Sequence, residues 1–166
     1  LILVSVGSMA DRYPKNPGVD VINYDFRIKL SDQTDKIECE ATVDVRYLQA
    51  GATELRMDLV NATEALGNKG MTVSRVMHNG TELTYTHQGN DLKINLPSAA
   101  QKDQRSQYII SYSGIPATGL KIANNKYGDR TFFSDNWPDK ARNWLSVIDH
   151  PYDKATCEFI VTAPAH

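Results

Sequence analysis

From residue 22 onward, apolar and polar side chains alternate with period two, and helical spacing is nearly absent. That periodicity belongs to half-buried β-strands, in which successive side chains point to opposite faces of a sheet. Tyr24, Phe26, Ile28 and Leu30 alternate with Asp25, Arg27 and Lys29. Ile37, Cys39, Ala41, Val43, Val45 and Tyr47 then alternate with Glu38, Glu40, Thr42, Asp44 and Arg46. The second run predicts the strongest strand of the chain, with its charged face toward water, and the polar stretch 31–36 predicts the turn between the two.

Shorter strands follow. Leu55, Met57 and Leu59 alternate with Glu54, Arg56 and Asp58. Residues 61–66 suit a helical turn closed by Gly67. Segment 71–77 runs into Asn79-Gly80, a dipeptide that tolerates the positive φ angles of a type I′ hairpin turn, and 83–87 is expected to return. Leu92, Ile94 and Leu96 predict another strand, ended by Pro97, and 108–112 one more. From 116 to 151 the pattern breaks into Gly, Asn, Asp and aromatics, interrupted only by Arg130–Ser134, before a last strand at 155–162. At least eight strands in sequence, without intervening helices, predict an all-β, mainly antiparallel sandwich or saddle of packed sheets. A long irregular stretch inside such a domain is where a site should be sought.

With 166 residues, the chain fits one domain. The 18 Lys and Arg against 20 Asp and Glu provide no basic field for nucleic acid. The longest purely apolar run, residues 1–4, falls far short of the roughly 20 residues that cross a bilayer. Ser8-Met9-Ala10 suits a signal-peptidase site, yet the basic n-region is missing, and a cloning tag fits equally. Residues 1–18 are therefore read as a tag, a signal-peptide remnant or an extended arm, and 19–166 as the domain. Localisation stays open, a signal remnant implying secretion or a periplasmic home.

Cys39 and Cys157 both fall on apolar faces of predicted strands and should point into the core, as free thiols or as one bridge. No Gly-x-Ser-x-Gly elbow, phosphate-binding loop or His-Glu-x-x-His occurs, so the chain offers no nucleophile and no zinc site. His78 and His87 read as rim residues. Asp149-His150-Pro151-Tyr152-Asp153 could serve a metal or acid–base chemistry, or could be a rigid turn whose carboxylates accept backbone and Arg hydrogen bonds.

The stretch 124–164, NKYGDRTFFSDNWPDKARNWLSVIDHPYDKATCEFIVTAP, resembles the end of the N-terminal domain of zinc aminopeptidases of the aminopeptidase N and leukotriene hydrolase family. There an arginine is followed seven residues later by an aspartate, then x-Pro and a lysine-led strand; here these are Arg142, Asp149, Pro151, Lys154 and a close near Pro164. The opening at 21–26 and the acidic alternating strand Ile37–Tyr47 are similar to the family's first two strands. The resemblance implies a saddle-like domain that precedes a thermolysin-like catalytic domain, the source of zinc and of the general-base glutamate. This chain alone is then expected to be inactive and to hold no cofactor. Its partners are the catalytic domain of the same polypeptide and the N-terminus of a peptide substrate.

In that family a Gln or Glu shortly before the motif arginine binds the substrate's free α-amine, because an anionic or amide acceptor suits an ammonium. Trp137 stands five positions before Arg142 and lacks such an acceptor, so the role is carried to Asp135, seven before, with Asn136 as second choice. Either could instead cap a helical turn that begins at Trp137-Pro138. Arg142 and Asp149 are expected to form a structural ion pair, and Trp137, Trp144, Phe132, Phe133 and Tyr127 to wall a pocket or fill the core. Two rival readings differ in what they require. A freestanding β-sandwich binding module should present a closed polar surface, whereas a domain waiting for its catalytic partner should expose an apolar face. A hydrolase built on Asp149, His150 and Asp153 would need a nucleophile or metal set.

Overall fold

The structure, a computed structural model, describes residues 12–165, so the segment read as a tag or signal remnant lies largely outside it. Strands make up 51% of the described residues and the sheets are mostly antiparallel, an all-β sandwich. β1 (Val19–Lys29) and β2 (Ile37–Tyr47) pair antiparallel along nearly their whole length, with one bulge between Val21 and Asn23. They sit in a six-stranded sheet with β4 (Gly70–His78), β5 (Thr81–Glu82), β8 (Arg105–Ile115) and β11 (Thr156–Thr162), in the order β11-β1-β2-β8-β4-β5. A second sheet runs β3 (Glu54–Asp58), β7 (Asp91–Asn95), β6 (Tyr85–Gln88). A ribbon of β9 (Leu120–Asn124) and β10 (Arg130–Ser134) completes the domain.

The alternating apolar positions produce the core. Phe26, Ala41, Val43, Val45 and Ile110 from the large sheet and Leu55, Met57, Leu92 and Ile94 from the small one are buried in a single cluster. Each of these side chains larger than alanine contributes roughly 1.5–3 kcal/mol by leaving water. Tyrosines on the large sheet's inner face carry polar tips into this core and use them. The Tyr47 and Tyr108 hydroxyls bond each other at 2.8 Å, Tyr24 accepts from the Ile148 backbone N–H at 2.9 Å, and Tyr112 accepts from that of Ser146 at 3.2 Å. The 146–148 segment is thus pinned to the large sheet from below.

Several expectations are corrected. Asn79 and Gly80 form the hairpin loop, both with positive φ, but only Thr81–Glu82 returns alongside β4. Residues 85–88 leave for the small sheet and pair with β7. Alternation marks a strand without naming its partner, and buried Leu83 is where the chain changes sheets. The stretch 116–151 contains β9, which sequence reading misses because it shows only a short Leu-x-Ile alternation. Asp58, which alternates with apolar neighbours along β3, is itself fully buried. Cys39 is a buried free thiol, whereas Cys157 is free and exposed.

Candidate functional site

The irregular stretch folds into a turn anchored at both feet. At the first foot the Asp135 N–H donates to the Gly119 carbonyl at 2.8 Å, fixing the end of β10 to the start of β9. Gly119 has φ +81, and a Cβ there would lie 2.5 Å from the Lys140 carbonyl oxygen, so only glycine lets the turn lie this close. Trp137-Pro138 is cis. Asp135 caps the turn by accepting from the Trp137 N–H at 3.2 Å, and the Lys140 N–H closes it on the Asn136 carbonyl at 3.0 Å. The second Asp135 oxygen meets the Lys140 ammonium at 2.7 Å. That hydrogen bond holds the Asp135 carboxyl below its usual range. Asn136 points inward, its Oδ1 accepting from the buried Trp144 indole at 2.9 Å.

Of the three residues assigned to substrate binding, then, Asn136 is committed to the interior and Asp135 is an exposed anion bridged by an ammonium. Trp137 is 80% exposed. Among the expected pocket aromatics, Trp144 is core and Phe132 half-buried, while Phe133 and Tyr127 are exposed.

At the second foot the structure brings Arg142 and Asp149 together. Asp149 Oδ2 accepts from both the Arg142 backbone N–H at 3.1 Å and Nε at 3.0 Å, and the Asp149 carbonyl accepts from Nη2 at 3.0 Å. Burial opposes the charge on Arg142, but Asp149 and Asp58 beside it more than offset this and hold its pKa above the usual value. Pro151 is exposed in the following turn and Lys154 is exposed just ahead of β11; neither joins this cluster.

A group that sequence reading misses lies beneath the second foot. Asp58 Oδ2 accepts from the Asp149 N–H at 2.9 Å and from the Tyr13 hydroxyl, while Oδ1 accepts from Arg56 Nη2 at 2.7 Å. Arg56 also binds Asp91 at 2.6 Å. The Tyr13 ring lies 5.5 Å from the Arg56 guanidinium carbon and 5.7 Å from that of Arg142, and stacks on His150 at 4.6 Å. Burial, then Asp58, raises the Tyr13 pKa and keeps the phenol protonated. An Arg-x-Asp pair on a strand is indistinguishable in sequence from a solvated face, so nothing there signals this network. An open cleft of about 780 Å³ runs between the 12–14 arm and the turn, lined by Trp137, Arg142 and His150.

The other unusual surface is β11. Its residues register with β1 so that Cys157, Phe159 and Val161 stand beside Tyr24, Phe26 and Ile28, on the inner face. Phe159 stacks on Phe26 at 5.4 Å. Tyr24, Phe26 and Ile28 are buried, yet every residue of β11 is exposed. The inner face therefore overhangs the smaller sheets, leaving an apolar groove of about 360 Å³ among Leu30, Leu120, Phe132, Phe159 and Val161.

No set of three or more His, Cys, Asp or Glu among the described residues could hold a metal ion, so these residues do not fit zinc. In the Asp149-His150-Asp153 cluster, Asp149 binds Arg142, Asp153 accepts from the Val21 N–H at 3.3 Å, and His150 Nδ1 accepts from the Tyr152 N–H at 3.2 Å. The carboxylates thus accept from Arg142 and from the backbone of β1, as in the structural alternative. Among the described residues no helix is long and apolar enough to cross a membrane.

The signature of the Peptidase M1 N-terminal domain matches residues 21–166. Among curated proteins, none matches. Among solved structures, the M1 zinc metallopeptidase of Deinococcus radiodurans is similar, with 22% identity and a TM-score of 0.72 over 89% of this chain and 33% of that one. Yeast leukotriene A4 hydrolase in complex with bestatin gives 21% identity and a TM-score of 0.75 over 92% of this chain and 25% of that one. At these identities the likeness shows the fold, and the chain spans a third or less of those two proteins.

Proposed function

This chain belongs to the M1 peptidase N-terminal domain family, and from that premise we propose that it serves a zinc-dependent aminopeptidase as its non-catalytic N-terminal domain. It packs on the catalytic domain of the same polypeptide, which supplies the metal, and helps bind the free α-amine of the peptide substrate.

The observation that carries this reading is the uncovered inner face of β11. Phe159 and Val161 are about half exposed, at 48% and 52%, on the face that elsewhere forms the core. A freestanding module would close that face with polar side chains. An apolar groove at a sheet edge instead marks a contact surface.

The amine-binding role falls to the 135–140 turn. The Lys140 ammonium sits on the Asp135 carboxylate where a substrate α-ammonium would sit. An exposed pair of this kind is weakly held, so one ammonium can exchange for another at little cost. Trp137, two residues on and 80% exposed, is assigned the apolar, cation-tolerant wall of that subsite.

The docking proposal is tested by replacing Phe159 and Val161 with Ser in the complete polypeptide. The expected result is faster proteolytic cleavage between the domains and partial loss of activity, with zinc content unchanged. Unaltered cleavage and activity would refute docking through this face.

A further inference from the structure

We infer that Asp58, together with Tyr13 of the N-terminal arm, is a positioning device for the Trp137 turn rather than a contributor to core stability. The inference rests on the reading of that turn as the substrate-facing one.

The energetics point this way. Asp58 has no exposed surface, and its neighbours Met57 and Leu59 are equally buried apolar residues. Removing a carboxylate from water costs several kcal/mol, and buried ion networks are frequently no more stable than well-packed apolar substitutes. What such a network supplies is a fixed arrangement of the segments it joins.

The joined segments are distant in sequence. One oxygen of Asp58 is held by Arg56 on its own strand, and the other takes a proton donor from the arm, Tyr13, and one from the motif loop, the Asp149 N–H. The backbone repeats the tie, with Asp58 N–H donating to Val147 O at 2.7 Å and Val147 N–H to Asp58 O at 3.1 Å. Asp149 then grips Arg142 through side chain and backbone. Arg142 lies two residues beyond Lys140, which closes the turn bearing Trp137. The small sheet thereby sets where the second foot of the turn stands, while Gly119 and Trp144 set the first. Tyr13, flanked by both guanidinium groups, locks the joint from outside.

The test is a double-mutant cycle in the complete aminopeptidase, read as KM and kcat on peptides with free N-termini. Asp58→Asn, which keeps size but weakens the acceptor, should raise KM about tenfold with kcat and zinc content unchanged, and Tyr13→Phe should raise it less. Combined with Trp137→Ala, neither should add to the loss that Trp137→Ala causes alone, a coupling that mere destabilisation would not produce. If Trp137→Ala impairs binding and Asp58→Asn adds to it independently, the positioning role is wrong while the substrate-facing turn stands. If Trp137→Ala has no effect, both fall. If Asp58→Asn fails to fold, the Tyr13→Phe arm decides by the same criteria.

Discussion

Two carboxylate–cation pairs flank the Trp137 turn, one joining residues seven apart in sequence and the other residues five apart, built from the same chemistry and placed in different surroundings. Arg142 and Asp149 meet at 3.0 Å with side chains 16% and 11% exposed. Lys140 and Asp135 meet at 2.7 Å with side chains 35% and 53% exposed. Distance alone ranks the second pair as tighter; burial reverses the ranking. Poorly solvated charges cannot be separated without stranding one of them, whereas solvated ones exchange partners freely. The first pair is therefore a fixture, and the second is open to exchange, as the proposed amine-binding role requires.

That contrast can be broken experimentally. Asp149→Ala strands the Arg142 guanidinium and leaves the Arg142 N–H without its carboxylate acceptor, while the backbone bonds to Asp58 remain, so it should cost about 3 kcal/mol and, for a domain of this size, lower Tm by roughly 6–12 °C in a thermal melt. Gly119→Ala places a methyl against the Lys140 carbonyl at a positive φ and should cost about 2 kcal/mol, showing that the exposed pair stands on a rigid foot. Asp135→Ala should lower Tm much less, through loss of the cap on the Trp137 N–H alone, while raising KM for free-amine substrates of the complete polypeptide a few-fold, by our estimate, and leaving N-blocked substrates unaffected. Equal Tm losses for Asp149→Ala and Asp135→Ala would abolish the distinction.

The smallest effect is a pH dependence. Lys140 lowers the folded-state pKa of Asp135 below its ordinary 3.8. A depressed carboxyl contributes above the unfolded value and loses that contribution as pH falls through the folded one. The KM difference between the parent and Asp135→Asn should therefore persist to pH 4 and shrink only below it, and Lys140→Met should move that loss to higher pH.

Sequence made the large sheet legible because β1 and β2 are half-buried strands with unbroken alternation, and Asn79-Gly80 leaves few other turns open. It also brought the Arg142, Asp149 motif and the 135–137 stretch into one candidate region. Three features were hidden for stated reasons. Alternation assigned Cys157 to an inner face correctly by register, but whether that face is covered depends on how far the small sheets extend. The burial of Asp58 gave no signal because a buried charge and an exposed one occupy the same place in the pattern. The shift of 85–88 to the second sheet depends on partner choice, which period two does not encode.

Cys157 offers the most direct test of the docking surface, since it lies on the uncovered strip as an exposed free thiol while Cys39 is buried. Peptide-resolved thiol labelling should modify Cys157 readily in the isolated chain and far more slowly in the complete aminopeptidase, with Cys39 protected in both. Equal labelling of Cys157 in the two forms would mean that nothing covers β11, and the chain would then have to be understood as a domain that does not dock there.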